Sequence, residues 1–179
     1  VPGRNDATGM QTLIGLALRN TDERLAQGKP VTPAFLYAVL LWGPLQQFWQ
    51  RAQDDGMSPV PALQKAIQQV IQQQAQHTSI PKRFGIPMRE MWELQGRLSQ
   101  RSPKRCEALL QHPRFRAAYD LLLLREEAGE LEPGLGDWWT RYQTADEAQR
   151  AELCKGLGAG KKKRRRRPRN RRPKPSPES

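Results

Sequence analysis

The chain has 179 residues, with 30 Lys and Arg against 18 Asp and Glu and a formal net charge of +12. Its two cysteines, Cys106 and Cys154, and its two histidines are isolated in sequence, so neither a zinc-ligand spacing nor a disulfide framework is present. No apolar run approaches the roughly 20 residues that a membrane span requires. These features exclude a zinc module and a membrane-spanning protein, and the isolated cysteines predict a cytoplasmic location because they suit a reducing compartment.

The positive charge is concentrated at the C-terminus. Residues 161–179 carry eleven bases against one acid, a net +10, whereas the first 160 residues carry 19 bases against 17 acids. Such a run repels itself and lacks apolar side chains, which predicts a disordered basic tail over residues 161–179. It can also release counterions from phosphates, as nucleic-acid-binding arms do, although a nuclear address or contact with anionic lipid are alternatives. The candidate RNA contacts in the tail are Lys161, Lys162, Lys163, Arg164, Arg165, Arg166 and Arg167.

Helical spacing recurs through the first half of the chain. An apolar face of a helix that should end near Gly28 comprises Ile14, Ala17, Leu18, Thr21 and Leu25. Thr32 followed by Pro33 predicts the start of a second helix, which is interrupted at residues 43–44 and resumes to about residue 54. A further amphipathic stripe comprises Leu63, Ala66, Ile67, Val70 and Ile71.

The second half continues the same pattern. The spacing predicts a helix over residues 87–100 that buries Met88, Met91, Trp92, Gln95 and Leu98. Further helices are expected to begin at residues 102–103 and 112–113, and the apolar run 121–124 predicts that the second of these is central. A short helix and a glycine linker are predicted over residues 146–160. Because no segment alternates with period two, the fold class is all-α, a compact multi-helix bundle followed by the tail.

A second basic region lies in the body of the chain. Residues 82–125 contain ten bases against four acids, a net +6. Arg97, Arg101 and the pair Lys104 and Arg105 are predicted to cluster at a corner between two helices, and Glu93 is expected to pair with a basic neighbour on its helix. A plain solvated charged face is the alternative. The candidate RNA contacts here are Lys82, Arg83, Arg89, Arg97, Arg101, Lys104, Arg105, Arg114 and Arg116.

No catalytic site is predicted. Phosphoryl transfer with two metal ions needs convergent carboxylates, and acyl transfer needs a nucleophile beside a base, but neither arrangement is present in the sequence. The adjacent Trp138 and Trp139 could stack on bases, but burial in the core is the more frequent role of such residues. No catalytic or metal-binding residue is therefore assigned.

Several segments resemble a known family. Residues 20–24 (Asn-Thr-Asp-Glu-Arg), 31–36 (Val-Thr-Pro-Ala-Phe-Leu), 80–83 (Ile-Pro-Lys-Arg), 91–95 (Met-Trp-Glu-Leu-Gln), 112–122 (His-Pro-Arg-Phe-Arg-Ala-Ala-Tyr-Asp-Leu-Leu) and 138–139 (Trp-Trp) resemble the C-terminal half of bacterial poly(A) polymerases. These are class II nucleotidyltransferases related to the CCA-adding enzymes. The resemblance implies a helical RNA-binding region over residues 11–76 and an arginine-rich helical region over 80–145, and it leaves residues 1–10 unassigned.

The resemblance also implies an activity for the full-length protein. Members of the family add AMP from ATP to RNA 3′ ends without a template, which promotes RNA processing and decay, and they hold ATP and Mg²⁺ in an N-terminal head. That head is absent from these 179 residues, so no cofactor is expected in this segment and the chain alone is expected to be inactive.

Two other interpretations remain open from the sequence. One is a stand-alone helical adaptor that binds RNA or a protein without catalysis, and the other is a segment of a CCA-adding relative. The expected partners are single-stranded RNA 3′ ends, with RNA-decay proteins as further candidates. No membrane contact is expected, and the chain is predicted to be a monomer.

Overall fold

The structure is a computed structural model that describes the backbone of residues 5–157 and the side chains of residues 12–157. Within this range it contains nine helices and no strand, which confirms the predicted all-α class. The helices are α1 Asn5–Ala26, α2 Pro33–Leu40, α3 Trp42–Asp54, α4 Pro59–His77, α5 Lys82–Leu98, α6 Pro103–Leu110, α7 Phe115–Glu127, α8 Leu135–Thr144 and α9 Glu147–Leu153. The predicted basic tail and most of the glycine linker lie outside the described residues.

Prolines set several helix starts. Helices α2, α4 and α6 each have proline at the first position, where its missing N–H and fixed φ are tolerated. The interruption predicted at residues 43–44 lies instead at Leu41, because Pro44 fits within the first turn of α3, whose N–H groups have no helical partner. The predicted start of α5 at Pro87 is also wrong. Helix α5 begins at Lys82 and continues through that proline.

The buried face of α1 differs from the predicted one. Leu13, Leu16 and Ala17 are buried, whereas Leu18 and Leu25 are 53% and 59% exposed. Both sets have helical spacing, so periodicity alone does not choose between them. Contact with α2 and α7 selects the first set, and part of the apolar surface of α1 stays in solvent.

Two hydrophobic clusters share α5 and α7. The first cluster joins these two helices to α1–α4 and includes Trp92 and Leu121, and the second joins them to α6, α8 and α9 and includes Leu98 and Leu122. All five residues predicted on the inner face of α5 are buried, and the apolar run of α7 is central as predicted. The assignment of residues 11–76 and 80–145 to separate functional regions stays a prediction.

Indole N–H groups connect the helices across these clusters. Trp92 Nε1 donates to the Ala38 carbonyl oxygen at 3.0 Å, joining α5 to α2. Trp139 Nε1 donates to the Leu98 carbonyl oxygen, also at 3.0 Å, joining α8 to α5. Trp138 and Trp139 are both buried, so the prediction of a core role for this pair is confirmed. Each indole fills core volume while its polar group is satisfied.

A buried polar network crosses the bundle between α3, α5 and α7. Arg125 Nε donates to Glu130 Oε2 at 3.2 Å, and its Nη1 donates to Gln95 Oε1 at 3.0 Å. Glu130 Oε2 also accepts from Trp42 Nε1 at 2.9 Å and from Gln46 Nε2 at 3.2 Å. Burial lowers the pKa of the Arg125 guanidinium, and the Glu130 carboxylate opposes that shift. Arg125 is therefore a charge held inside the fold, not a surface base.

The helices were also compared with the length and hydropathy that a membrane span requires. None of the helices between residues 5 and 157 is both long enough and apolar enough to span a bilayer.

The network generates a stability prediction. Glu130→Ala leaves the Arg125 guanidinium buried without its counter-charge and removes the acceptor of Trp42 and Gln46. Removing one partner of a buried pair typically costs about 3 kcal/mol of unfolding free energy, and chemical denaturation should show a loss of that order. Glu132→Ala, at an exposed acid two residues away, is the matched control and should change stability by less than about 0.5 kcal/mol. Equal effects of the two changes would contradict a structural role for the network.

Candidate nucleic-acid interface

The structure places the predicted basic residues of the body in three locations. Arg97, Arg101, Lys104 and Arg105 lie where α5 meets α6, and this group is called the basic corner below. A second group, Lys82, Arg83 and Arg89, lies on the N-terminal half of α5. Arg114 and Arg116 lie at the start of α7, beside α1. At 1.5 Å per residue, Lys82 lies about 22 Å from Arg97 along α5, and Arg89 lies about 12 Å from it.

The acids of the same region are already engaged. Glu90 accepts from Arg114 Nε at 3.1 Å, and Asp120 pairs with Arg116 Nε at 3.4 Å. Glu107, on α6, pairs at 3.1 Å with Arg150 from α9. Of the ten bases in this region, Arg114, Arg116 and Arg125 are therefore paired with acids, and the others are not paired with any described residue.

Glu93 does not pair along its own helix. The predicted ion pair with a basic neighbour on α5 is wrong, because Glu93 Oε1 accepts from Gln64 Nε2 of α4 at 2.9 Å. The packing of α4 against α5 brings that amide closer than the flexible arginines one turn away. Arg89 and Arg97 therefore form no ion pair with Glu93.

Seven bases of this region form no ion pair with any residue that the structure describes. They are Lys82, Arg83, Arg89, Arg97, Arg101, Lys104 and Arg105. Five of the seven are exposed, and Arg89 and Arg101 are half-buried. Unpaired guanidinium and ammonium groups in water remain available to phosphate oxygens, and arginine can bind these with two parallel hydrogen bonds.

The basic corner is partly preorganised. The Arg101 guanidinium lies 4.9 Å from the centroid of the Trp138 ring, so one face of it rests on an aromatic surface. Arg105 Nη1 donates to Gln100 Oε1 at 3.3 Å. Arg97 and Lys104 are exposed. The corner thus presents four cations, one of which is oriented by stacking and one by a hydrogen bond.

The basic corner packs against α8 through the contact between Arg101 and Trp138. Glu126 accepts hydrogen bonds from the backbone N–H groups of Gly134 at 3.0 Å and Gly136 at 2.7 Å, which fixes the first turn of α8. Gly136 packs closely there, because a Cβ would lie 2.6 Å from Leu123 Cδ2 and that side chain would have to move. This contact positions Trp138 under Arg101.

Cys106 lies beneath the corner, on the buried side of α6. It is fully buried beside Cys154, and both thiols are free. Burial raises the pKa of the Cys106 thiol to about 11 from its ordinary value of 9.0. Burial likewise raises the pKa of the nearby Tyr142 hydroxyl to about 12. Both groups are therefore neutral over the physiological range and act as packing residues.

The N-terminal half of α5 carries a different arrangement. Lys82 and Arg83 occupy the first turn, which contains no acid, so the positive end of the helix dipole is reinforced. Lys82 and Arg89 also border a groove of about 460 Å³ between α4 and α5, whose apolar lining includes Ile71 and Ile86. This surface favours anions at its rim.

A further groove of about 470 Å³ lies between α1, α2, α5 and α7. Its rim contains Arg114 and Arg116 from the predicted set, together with Arg24 of α1. Arg24 was missed from the sequence, although it ends one of the segments that carry the family resemblance. Arg141 was missed too. It shares a shallow hollow with Arg101 and Trp138 but is paired with Asp137 at 3.1 Å.

The sequence of the chain is similar to those of known proteins. The family model described as polymerase A arginine-rich C-terminus matches residues 55–173. Poly(A) polymerase I of Salmonella typhi is 36% identical over 157 residues, which cover 86% of this chain and 34% of that protein. For poly(A) polymerase I of Escherichia coli O6:H1 the identity is 40% over 145 residues, covering 79% and 31%. That of Haemophilus influenzae is 32% identical over 148 residues, covering 80% and 32%. The chain spans about a third of the length of these curated relatives.

The raised pKa of Cys106 predicts a stability change in alkaline solution. In the unfolded chain this thiol ionises near 9.0, whereas in the fold it keeps its proton to about 11. The stability of the fold that depends on a protonated Cys106 is therefore fully present below pH 9 and is lost as the pH rises from 9 to 11. The melting temperature should fall by about 5 °C over that interval. Thermal melts of Cys106→Ala, compared at each pH, should show a shallower fall. An identical pH dependence in the variant would contradict the assignment.

Proposed function

The chain belongs to the family defined by the polymerase A arginine-rich C-terminus, and from this premise we propose that it is the RNA-binding part of a poly(A) polymerase. The whole protein would add AMP from ATP to RNA 3′ ends without a template and so promote RNA processing and decay. The part described here would hold the RNA while a separate head performs the chemistry.

One observation carries the proposal. The seven bases without ion pairs are concentrated on α5 and at the corner with α6, while the acids of the same stretch are engaged by other partners. A surface that is merely solvated would be expected to mix the two charge signs along each helix. Here both signs occur along α5 and α6, but the three acids Glu90, Glu93 and Glu107 are bound by residues of other helices. The bases beside them are left unpaired, which favours a polyanionic partner.

The proposed roles of the residues follow from their surroundings. Arg97, Lys104 and Arg105 would contact phosphates directly. Arg101, with one face on Trp138, has its second face and its N–H edge available for a base or a phosphate. Lys161–Lys163 and Arg164–Arg167 would add sequence-independent contacts from outside the described part of the chain. The corner would thus set the path of the strand, and the tail would raise the overall affinity.

The residues that the structure describes do not form a site for Mg²⁺. No group of three or more histidine, cysteine, aspartate or glutamate side chains that could hold a metal ion occurs among residues 12–157. We therefore assign the nucleotidyl transfer, and the ATP and Mg²⁺ it uses, to a head outside this sequence. The 179-residue chain is expected to be inactive alone.

The remaining partner assignments are also proposals. Single-stranded RNA 3′ ends are the expected ligand and RNA-decay proteins are further candidates. The two adjacent free thiols support a reducing compartment, which is the cytoplasm, and the chain is expected to act as a monomer. The rival function is a stand-alone adaptor that binds a protein through the same bases.

Substitution of the basic corner tests the proposal. Arg97, Arg101 and Arg105 are changed together to Gln, and binding of a labelled single-stranded RNA is measured over a range of salt concentrations. Each phosphate contact contributes about 0.7 to the log–log slope, so the slope should decrease by about two units and the affinity should fall with it. Thermal stability should change little, since two of these side chains are exposed and the third contributes one stacking contact.

The matched control carries the same change in charge elsewhere. Arg19, Arg51 and Lys65 are exposed bases of α1, α3 and α4 that form no ion pair with any described residue, and they are also changed to Gln. If the control lowers RNA affinity as much as the corner variant, binding reflects net charge only. If the unchanged chain binds no RNA, the adaptor function is favoured instead.

A further inference from the structure

The groove between α1, α2, α5 and α7 has the dimensions and lining of a ligand site. Its volume of about 470 Å³ lies within the range of small-molecule sites. The partly exposed apolar lining includes Val31, Phe35 and Ala117. The charged lining consists of Glu23, Arg24, Arg114, Arg116 and Asp120. The groove is separate from the basic corner, because none of the four corner residues contributes to its lining.

Asp120 is the unusual residue in this groove. Its side chain is only 28% exposed, yet its carboxylate accepts no well-formed hydrogen bond from any of residues 12–157. Its contact with Arg116 Nε at 3.4 Å is an ion pair on one oxygen. Burial raises the pKa of Asp120, and Arg116 and Arg24 oppose that rise. The Arg116 contact engages only one oxygen of a half-buried carboxylate, so the other oxygen can accept a hydrogen bond from a ligand that brings a donor.

The bases around Asp120 indicate that the same ligand also carries negative charge. Arg24 forms no ion pair with a described residue, and Arg116 is 72% exposed, so each has N–H groups free to bind an anion. A ligand with an anionic group, a flat apolar body and a hydrogen-bond donor on its edge would satisfy the arginines, the apolar lining and the carboxylate together. A nucleotide whose base carries an amine has these three properties.

We propose that this groove binds one nucleotide of single-stranded RNA, with Asp120 accepting a hydrogen bond from the amino group of the base. Arg24 would bind the phosphate, because Arg116 is already held against Asp120. The half-buried Phe35 and Ala117 would contact the base or the sugar. Adenine, cytosine and guanine carry such an amine and uracil does not, so the site would discriminate against uracil. The inference rests on the RNA-binding function proposed above and adds a base-selective site to it.

The test compares two mononucleotides that differ only in the amine. Adenosine 5′-monophosphate and purine riboside 5′-monophosphate, which lacks the amino group, are titrated into the full chain. The methyl resonances of Ala117 and Leu124, which line the groove, are followed by NMR, so contacts of the tail do not enter the measured affinity. We expect adenosine monophosphate to bind about tenfold more tightly, as one good contact to a base edge allows.

Variants test whether the Asp120 carboxylate causes the difference in affinity between the two nucleotides. Asp120→Leu removes the acceptor, and the tenfold ratio should fall to about one while the affinity for purine riboside monophosphate changes little. Asp137→Leu is the matched control, because Asp137 pairs with Arg141 one turn away as Asp120 does with Arg116, but on α8 and outside the groove. It should keep the full ratio. Should Asp120→Leu fail to fold, Asp120→Asn offers a weaker neutral acceptor and should lower the ratio to about two or three.

The outcomes separate the groove from the wider function. Equal affinities for the two nucleotides would make the groove an anion site only and would overturn the proposal, as would an unchanged ratio in Asp120→Leu. If the chain binds RNA through the basic corner but neither nucleotide shifts the groove methyls, the groove inference fails while the proposed function stands. Absence of RNA binding by the unchanged chain would remove both.

Discussion

The buried ion pair between Arg125 and Glu130 is the constraint on which the arrangement of the bundle depends. It links α7 to α3 through Trp42 and to α5 through Gln95. Because a buried charge tolerates few alternative environments, this network favours the same rotation of α5 relative to α7 that the apolar packing of the two helices selects. The rotation of α5 then determines that its methionines and tryptophan face inward and its arginines outward. The exposed bases of α5 thus lie opposite its apolar stripe, and the buried Arg125 holds the helix in that orientation through Gln95.

Arginine has two distinct roles in this chain, and the distribution of acids separates them. Arg125 and Arg150 are tied to carboxylates and stabilise contacts between helices. Arg97 and Arg105 have no such partner among the described residues, and only stacking on Trp138 orients Arg101. Ion pairs at the surface contribute little to stability, so the absence of acids at the corner has a small effect on folding. It has a large effect on the local potential, which determines the affinity for a polyanion.

Much of the fold could be predicted from the sequence, because helical periodicity and proline starts are local signals. The inner face of α5 followed from spacing alone. The buried face of α1 did not, since two overlapping stripes have the same period and only contacts with α2 and α7 distinguish them. The ion pairs between helices could not be predicted either, because Arg114 and Glu90 are 24 residues apart and Arg150 and Glu107 are 43 apart. Counting charges along the chain therefore identified the basic region but not which bases stay unpaired.

The body and the tail would divide the work of RNA binding according to what each can recognise. A run of lysines and arginines neutralises phosphates whatever the sequence, so it raises affinity and association rate without selecting bases. Selection needs fixed groups at a base edge, and only a packed fold can hold a carboxylate such as Asp120 in a half-buried groove. The two contributions differ in salt dependence, because screening weakens phosphate contacts more than a hydrogen bond to a base. The ratio of affinities for two bases should therefore stay nearly constant as the salt concentration rises, because the phosphate contribution is common to both, while total affinity falls.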